Sequence, residues 1–342
     1  MSDTITVEAL HRLVAGWLGE GRAVIGPVNL SPKICRYRPL SNPEEVVLGP
    51  FIRPRNSVKE FFFPQHEELF RYRTTGQTIQ LEEASTDIPP FVVLAARPCD
   101  AAALPMLDHV FAEEDPDPTY IARRNAGVVV TLACAEHDRD CFCTVMHFGP
   151  DSEAGSDAML VTRSDGAFEV RSFTEKGAAL FAGQTESREA MPLKIADKMV
   201  EGYTVEQIRE FMENNFEHPV WETVSAPCLG CGACAYTCPT CHCFDIVDEG
   251  NAAGGARVRN WDSCQFCMFT AHASGHNPRS TQPNRQRQRL QHKFRMFPDK
   301  FGTSLCTGCG NCTHNCPVGL GVLTSLREIS RATGTQSPEN KT

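Results

Sequence analysis

The chain has 342 residues, with 33 Lys and Arg against 42 Asp and Glu, for a formal net charge of -9. That acidic balance argues against nucleic acid as a general partner, and no apolar run approaches the roughly 18 residues that a membrane-spanning helix needs. The amino terminus lacks a basic segment, a small-residue cleavage site and a twin-arginine signal. The expected location is therefore the cytoplasm, where the chain's seventeen cysteines point to metal ligation rather than disulfides.

Length suggests two domains. Residues 1–220 read as an α/β domain. VEALHRLVAGWL places Leu10, Leu13, Val14, Trp17 and Leu18 on one helical face. The aromatic string KEFFFPQHEELFRYR, with Phe61, Phe62, Phe63, Phe70 and Tyr72, reads as core. FVVLAARPCD (91–100) and GVVVTLACAE (127–136) are short β-branched runs ending in polar turns, as core strands of an α/β sheet do. AMLVTRSDGAFEVRSF predicts a hairpin turning at Ser164, Asp165 and Gly166. A helix near residues 204–216 leads into HPVWETVSAP, a proline-marked linker. Residues 221–330 change character to cysteines, glycines and a His/Arg-rich middle, and residues 331–342 read as a disordered tail.

One motif occurs twice: Cys228, Cys231, Cys234 and Cys238 before Pro239, and Cys306, Cys309, Cys312 and Cys316 before Pro317. Three thiols at intervals of three can wrap a cubane iron–sulfur cluster, with Gly230, Gly232, Gly308 and Gly310 letting backbone amides approach its sulfides. In a two-cluster arrangement the fourth cysteine of each run ligates the other cluster. The expected sets are Cys228, Cys231, Cys234 and Cys316 for one [4Fe-4S] cluster, and Cys306, Cys309, Cys312 and Cys238 for the other. Structural zinc is the competing reading of paired C-x-x-C units, but zinc rarely uses three tandem cysteines followed by C-P, twice over. The repeat implies a ferredoxin-like α+β dicluster domain with pseudo-symmetric halves.

The 67 residues between Cys238 and Cys306 form an insertion. It carries Cys241, Cys243, Cys264 and Cys267, which either hold a further metal or pack as small apolar residues. Its basic run, with His272, His276, Arg279, Arg285, Arg287, Arg289, Lys293 and Arg295, reads as a solvated face, as a docking surface for an acidic partner, or as cationic packing around anionic clusters. In the amino-terminal domain, Cys99 and Cys134 end the two strands, and Cys141 and Cys143 follow in one polar loop. Strand ends on one sheet edge meet in space, so these four are expected to hold a third [4Fe-4S] cluster, against the alternative of buried structural thiols. Cys35 reads as structural.

The segments KEFFFPQHEELF, ARPCDAAAL, LACAEHDRDCFCTVMHFGP, SAPCLGCGACAYTCPTCHCFDI, RNWDSCQFCMFTAHASGHNPR and LCTGCGNCTHNCPVG occur in the order seen in a family of dicluster electron-transfer subunits. Over residues 10 to 330 the chain resembles the beta subunit of cytoplasmic sulfhydrogenases, the NAD(P)-linked nickel–iron hydrogenases also called sulfur reductases, and the A subunit of anaerobic sulfite reductase. The resemblance implies relay of electrons between a flavin subunit handling NAD(P)H and a catalytic hydrogenase or sulfur/sulfite reductase subunit. With no G-x-G-x-x-G after a strand, no nucleotide site is visible, which places the chemistry on other chains. The alternative is a catalytic chain acting on a sulfur compound at the amino-terminal cysteines.

Overall fold

The computed structural model describes residues 1–49, 53–113 and 115–334. Its strands are β1 (Ser2–Ile5), β2 (Ala23–Ser31), β3 (Ile34–Pro39), β4 (His66–Thr75), β5 (Thr78–Glu83) and β6 (Phe91–Ala96). They continue with β7 (Gly127–Leu132), β8 (Ala158–Thr162), β9 (Phe168–Ser172), β10 (Glu186–Arg188), β11 (Phe244–Asn251) and β12 (Gly254–Trp261). The larger sheet runs β10-β1-β9-β8-β7-β6-β2-β3, with the central β2, β6, β7 and β8 parallel and the flanks antiparallel. β6 is apolar and buried at every position, as a parallel strand covered on both faces must be. The expected hairpin forms between β8 and β9.

Helices complete the layers. Thr6 caps α1 (Val7–Gly19) by accepting from the Ala9 amide at 3.2 Å, and Leu10, Val14 and Trp17 then pack on Val92, Val130 and Leu160. The opposite face is covered by α2 (Lys59–Phe62), α3 (Pro98–Ala101), α4 (Leu104–Phe111) and α5 (Pro118–Ala126), burying Phe62, Phe63, Leu104 and Tyr120. The short α6 (Glu175–Phe181) returns to the first face through Leu180 and Phe181.

Beyond the sheet, Thr204 and Gln207 form a reciprocal capping box at the start of α7 (Val205–Asn214), worth about 1 kcal/mol. The stretch expected to be a linker contains α8 (Val220–Ser225) instead. Pro219, with φ -59°, sits at its start, where a missing N–H costs nothing, and Trp221 and Val224 are buried. There follow α9 (Ala233–Tyr236), α10 (Gln282–Gln291), a π-helical turn (His292–Met296), α11 (Phe297–Phe301), α12 (Asn311–His314) and α13 (Val322–Thr333). Ile208, Phe211, Trp221, Leu290, Phe294 and Leu326 share one core with Cys306 and Cys312. Helix α13 runs past residue 331 to Thr333; the remainder of the expected tail, 335–342, lies outside the described residues.

The second sheet, β11-β12-β4-β5, joins strands from both sides of residue 220. Buried Arg259 of β12 pairs with Glu67 of β4 and with Asp117, which caps α5, while Arg123 also binds Glu67. Trp261 stacks on Phe63 at 5.8 Å. The insertion between the cysteine motifs is thus clamped to the amino-terminal half. Among the described residues, no helix is long and apolar enough to cross a membrane.

Candidate iron–sulfur centres

The two motif copies fold alike. Gly230 and Gly308 have φ of 67° and 65°, and Gly232 and Gly310 have φ of 74° and 73°, each second glycine capping a one-turn helix, α9 or α12. A left-handed residue at these points turns the loop around its own concave side. There is also no room for a side chain: a Cβ on Gly310 would lie 2.2 Å from the Asp140 carbonyl oxygen, and one on Gly308 2.5 Å from Phe142.

Cys228, Cys231, Cys234 and Cys316 line one cavity, so the fourth thiol comes from the other motif. Cys306, Cys309 and Cys312 gather with Cys238 in the reciprocal arrangement. The amino-terminal Cys99, Cys134, Cys141 and Cys143 line another cavity, and Cys309 forms part of its wall. The positioning there begins in β6, where Ala95 adopts φ 55° and the register with β7 shifts between Leu94 and Ala96. That bulge re-aims Arg97 and Cys99 out of the sheet edge. In the facing loop the Phe142 amide donates to the Gly308 carbonyl at 2.9 Å, fastening the second motif to the amino-terminal cysteines.

In the first and amino-terminal cradles the thiols line a space instead of converging on a point. Among the described residues, no group of three or more His, Cys, Asp or Glu side chains could hold a single metal ion. Thiols ringing a cavity suit a multi-iron cluster rather than one tetrahedral zinc, which needs all its sulfurs about 2.3 Å from one centre. The insertion cysteines separate: Cys241 hydrogen-bonds with Cys238, Cys243 with Cys264, and Cys267 is exposed. Cys35 is buried among strands, apart from these groups.

The profile of the 4Fe-4S dicluster domain matches residues 227–320. The chain thus carries a 4Fe-4S dicluster domain. It is 28% identical over 324 residues to the sulfhydrogenase 2 subunit beta of Pyrococcus furiosus, an alignment covering 91% of this chain and 93% of that one. A shorter likeness, 26% over 120 residues, covers 35% of the chain and 39% of the succinate dehydrogenase iron–sulfur subunit of Bacillus subtilis. No solved structure matches. The relationship to sulfhydrogenase beta subunits supports two [4Fe-4S] clusters and a role in electron transport.

Burial sets the charge state of these thiols. Burial pushes the Cys143, Cys234 and Cys306 thiols up to about 12, and Cys99 and Cys309 well above the ordinary thiol value. Thiolates so buried persist only when cations stand between them, as cluster irons would. Cys238 moves the other way, held well below the usual range by its hydrogen bond with Cys241 and by the Lys293 and Lys59 charges.

Donors already point at the sulfurs: Arg53 Nη2 to Cys141 at 2.9 Å, Gln282 Nε2 to Cys228 at 3.1 Å, the Val322 amide to Cys312 at 3.2 Å, and Lys293 Nζ to Cys238 at 3.4 Å. Further buried donors, Arg53 Nη1 and all three guanidinium nitrogens of Arg289, have no hydrogen-bond partner among the described residues. Sulfide-bearing clusters are acceptors of the kind these groups lack, so the residues present fit the group. Arg53 and Gln282 carry no motif, and Lys59 opens a segment read for its aromatic residues, so sequence reasoning gave none of the three a role at the cysteines.

The basic run divides. Arg285, Arg289 and Lys293 are buried, Arg287 stacks on Phe216 at 3.9 Å and pairs with Glu217, and His272 and His276 are exposed.

Proposed function

We propose that this chain relays single electrons between a flavin-bearing, NAD(P)H-linked subunit and the catalytic subunit of a cytoplasmic hydrogenase or sulfur/sulfite reductase complex. The observation that carries the reading is contiguity. Cys234 of the first cradle lies close enough to Cys312 of the second for their charges to interact, and Cys309 of the second forms part of the wall of the amino-terminal cavity that Cys99 lines. The three cradles are therefore neighbours, in the order first, second, amino-terminal.

The ligand sets are Cys228, Cys231, Cys234 and Cys316; Cys306, Cys309, Cys312 and Cys238; and Cys99, Cys134, Cys141 and Cys143. Each [4Fe-4S] cluster bound there supplies reversible one-electron chemistry at a potential tuned by hydrogen bonds, burial and charge. The protein holds the sites adjacent, buries Cys238, Cys306 and Cys312 of the middle one, and aims Arg53, Gln282 and Lys293 at ligand sulfurs. Four cysteines per site leave no iron open to a substrate, which favours transfer over catalysis in this chain. Cys231 is exposed beside Leu229, itself 67% exposed, giving the first cradle a face that a partner subunit can reach.

Replacing Cys231 by Ala in the intact complex tests the role. Electron flow from NAD(P)H to the catalytic subunit is expected to fall to background while NAD(P)H oxidation by an artificial dye at the flavin persists. Undiminished flow in an iron-depleted first site rejects the relay.

A further inference from the structure

Three cations of the insertion, Arg285, Arg289 and Lys293, follow one another at intervals of four residues and are all buried. Side chains spaced in this way lie on one helix face, and eight residues advance about 12 Å along the axis. The stripe runs from one cradle to the other. At its start, Arg285 holds Gln282 Oε1 at 2.7 Å, and Gln282 donates to Cys228 of the first cradle. At its end, Lys293 donates to Cys238 of the second cradle and to Thr240 and the Leu305 carbonyl, both at 2.9 Å.

Arg289, at the centre, differs from its neighbours. Arg285 is bound by the Arg279 and Ser280 carbonyls at 3.0 and 2.9 Å. Arg289 is 2% exposed, and Nε, Nη1 and Nη2 find no acceptor among the described residues. A guanidinium cannot shed its charge, and burying one without a counter-ion costs several kcal/mol. The thiols close enough to act on its charge come from both cradles: Cys234 of the first, Cys312 and Cys238 of the second, and Cys241 as well. A planar fork carries donors on edges set well apart, so it can span acceptors that lie farther from one another than the single nitrogen of a lysine can reach.

We propose that Arg289 is the shared counter-cation of the dicluster domain, donating N–H groups to sulfur on both sides and raising the reduction potentials of both clusters together. The assignment rests on the crossed ligand sets proposed above. A fixed positive charge stabilises whichever state carries more electrons, so its removal lowers both potentials. Lys293, directed at Cys238 alone, acts on the second cluster only.

The test is an EPR-monitored redox titration of the full chain, with iron and acid-labile sulfide counted in each preparation. Arg289→Gln is expected to shift both dicluster potentials negative, changing the reduced-to-oxidised ratio at fixed ambient potential tenfold or more, about 59 mV for a one-electron couple. The amino-terminal cluster should not move. Lys293→Met should shift only the second cluster. If Arg289→Gln assembles no clusters, Arg289→Lys carries the test: charge is retained and the fork lost, so the two potentials shift unequally. Full cluster content with neither potential moved, or with only one moved by Arg289→Gln, overturns the role of Arg289 and leaves the two-cluster reading standing. A wild-type chain without iron and sulfide overturns that reading, and the assignment with it.

Discussion

Gly302 and Gly310 share the same backbone angle, φ 73°, and separate two demands that glycine can meet. Nothing lies within 4 Å of a Cβ built on Gly302, the cap of α11, so Gly302→Ala bears only the left-handed conformation, about 1 kcal/mol. A Cβ on Gly310 meets the Asp140 carbonyl at 2.2 Å and the Arg53 guanidinium at 2.6 Å. Relief requires the second motif to pull away from the DRDCFC loop, opening the wall that Cys309 gives to the amino-terminal cavity. Gly310→Ala is therefore expected to cost at least about 2 kcal/mol more than Gly302→Ala in chemical denaturation and to lower iron content per chain. Equal costs and full iron in both variants would show that this contact does not shape the site. At this scale the ligands were legible, because thiol spacing is a local property. The supporting donors were not: Arg53 and Gln282 reach their sulfurs from 88 and 54 residues away.

Hairpin β11–β12 belongs by sequence to the cysteine-rich half, yet β12 pairs with β4 from the other half over His66 to Arg73. Its anchor is the buried pair of Arg259 and Glu67, extended by Arg123 and Asp117. Phe63, Phe111 and Phe244 surround the Arg259 guanidinium at 5.1 to 5.6 Å, so the charge is held in a low-dielectric pocket. Removing one partner leaves the other buried with less compensation, and Arg259→Met is expected to cost about 3 kcal/mol. Combined with Glu67→Gln, the two losses should fall short of their sum, since the second change removes a charge already stripped of a partner. Denaturant unfolding of both single variants and the double variant checks this; additivity within about 0.5 kcal/mol would show that the pair does not act as a unit. Strand runs such as Phe91–Ala96 were readable from composition, and so was the hairpin at Ser164–Gly166. The pairing of β4 with β12 was not, because nearly 200 residues separate partners whose alternation is weak. Helix α8 escaped notice for a different reason: Pro219 reads as a break from sequence alone, although it can equally open a helix.

Across the whole molecule, the amino-terminal cysteines and the second motif wall off one cavity, so loading of the sites and cohesion of the chain are linked. Cys99 touches the system from both directions: it follows the bulged end of β6, and its thiol stands near Cys309, Cys134 and Cys143. A bound cluster there would tie α3 to the segment after β7 that carries Cys134 and to the loop carrying Cys141 and Cys143, against the wall to which Cys309 contributes. Cys99→Ala is expected to reduce the iron count from about twelve to about eight atoms per chain, the loss of one cubane, and to leave the paired clusters of the dicluster domain spectroscopically intact. It should also lower the unfolding temperature of the iron-loaded protein, because metal binding at a site absent from the unfolded chain contributes directly to folding free energy. In iron-free protein the same substitution should have a smaller effect, since it then only removes a buried thiol whose ionisation burial already opposes. An iron count that stays near eight in both wild type and variant would show that Cys99, Cys134, Cys141 and Cys143 are structural thiols, and that the relay ends at Cys309.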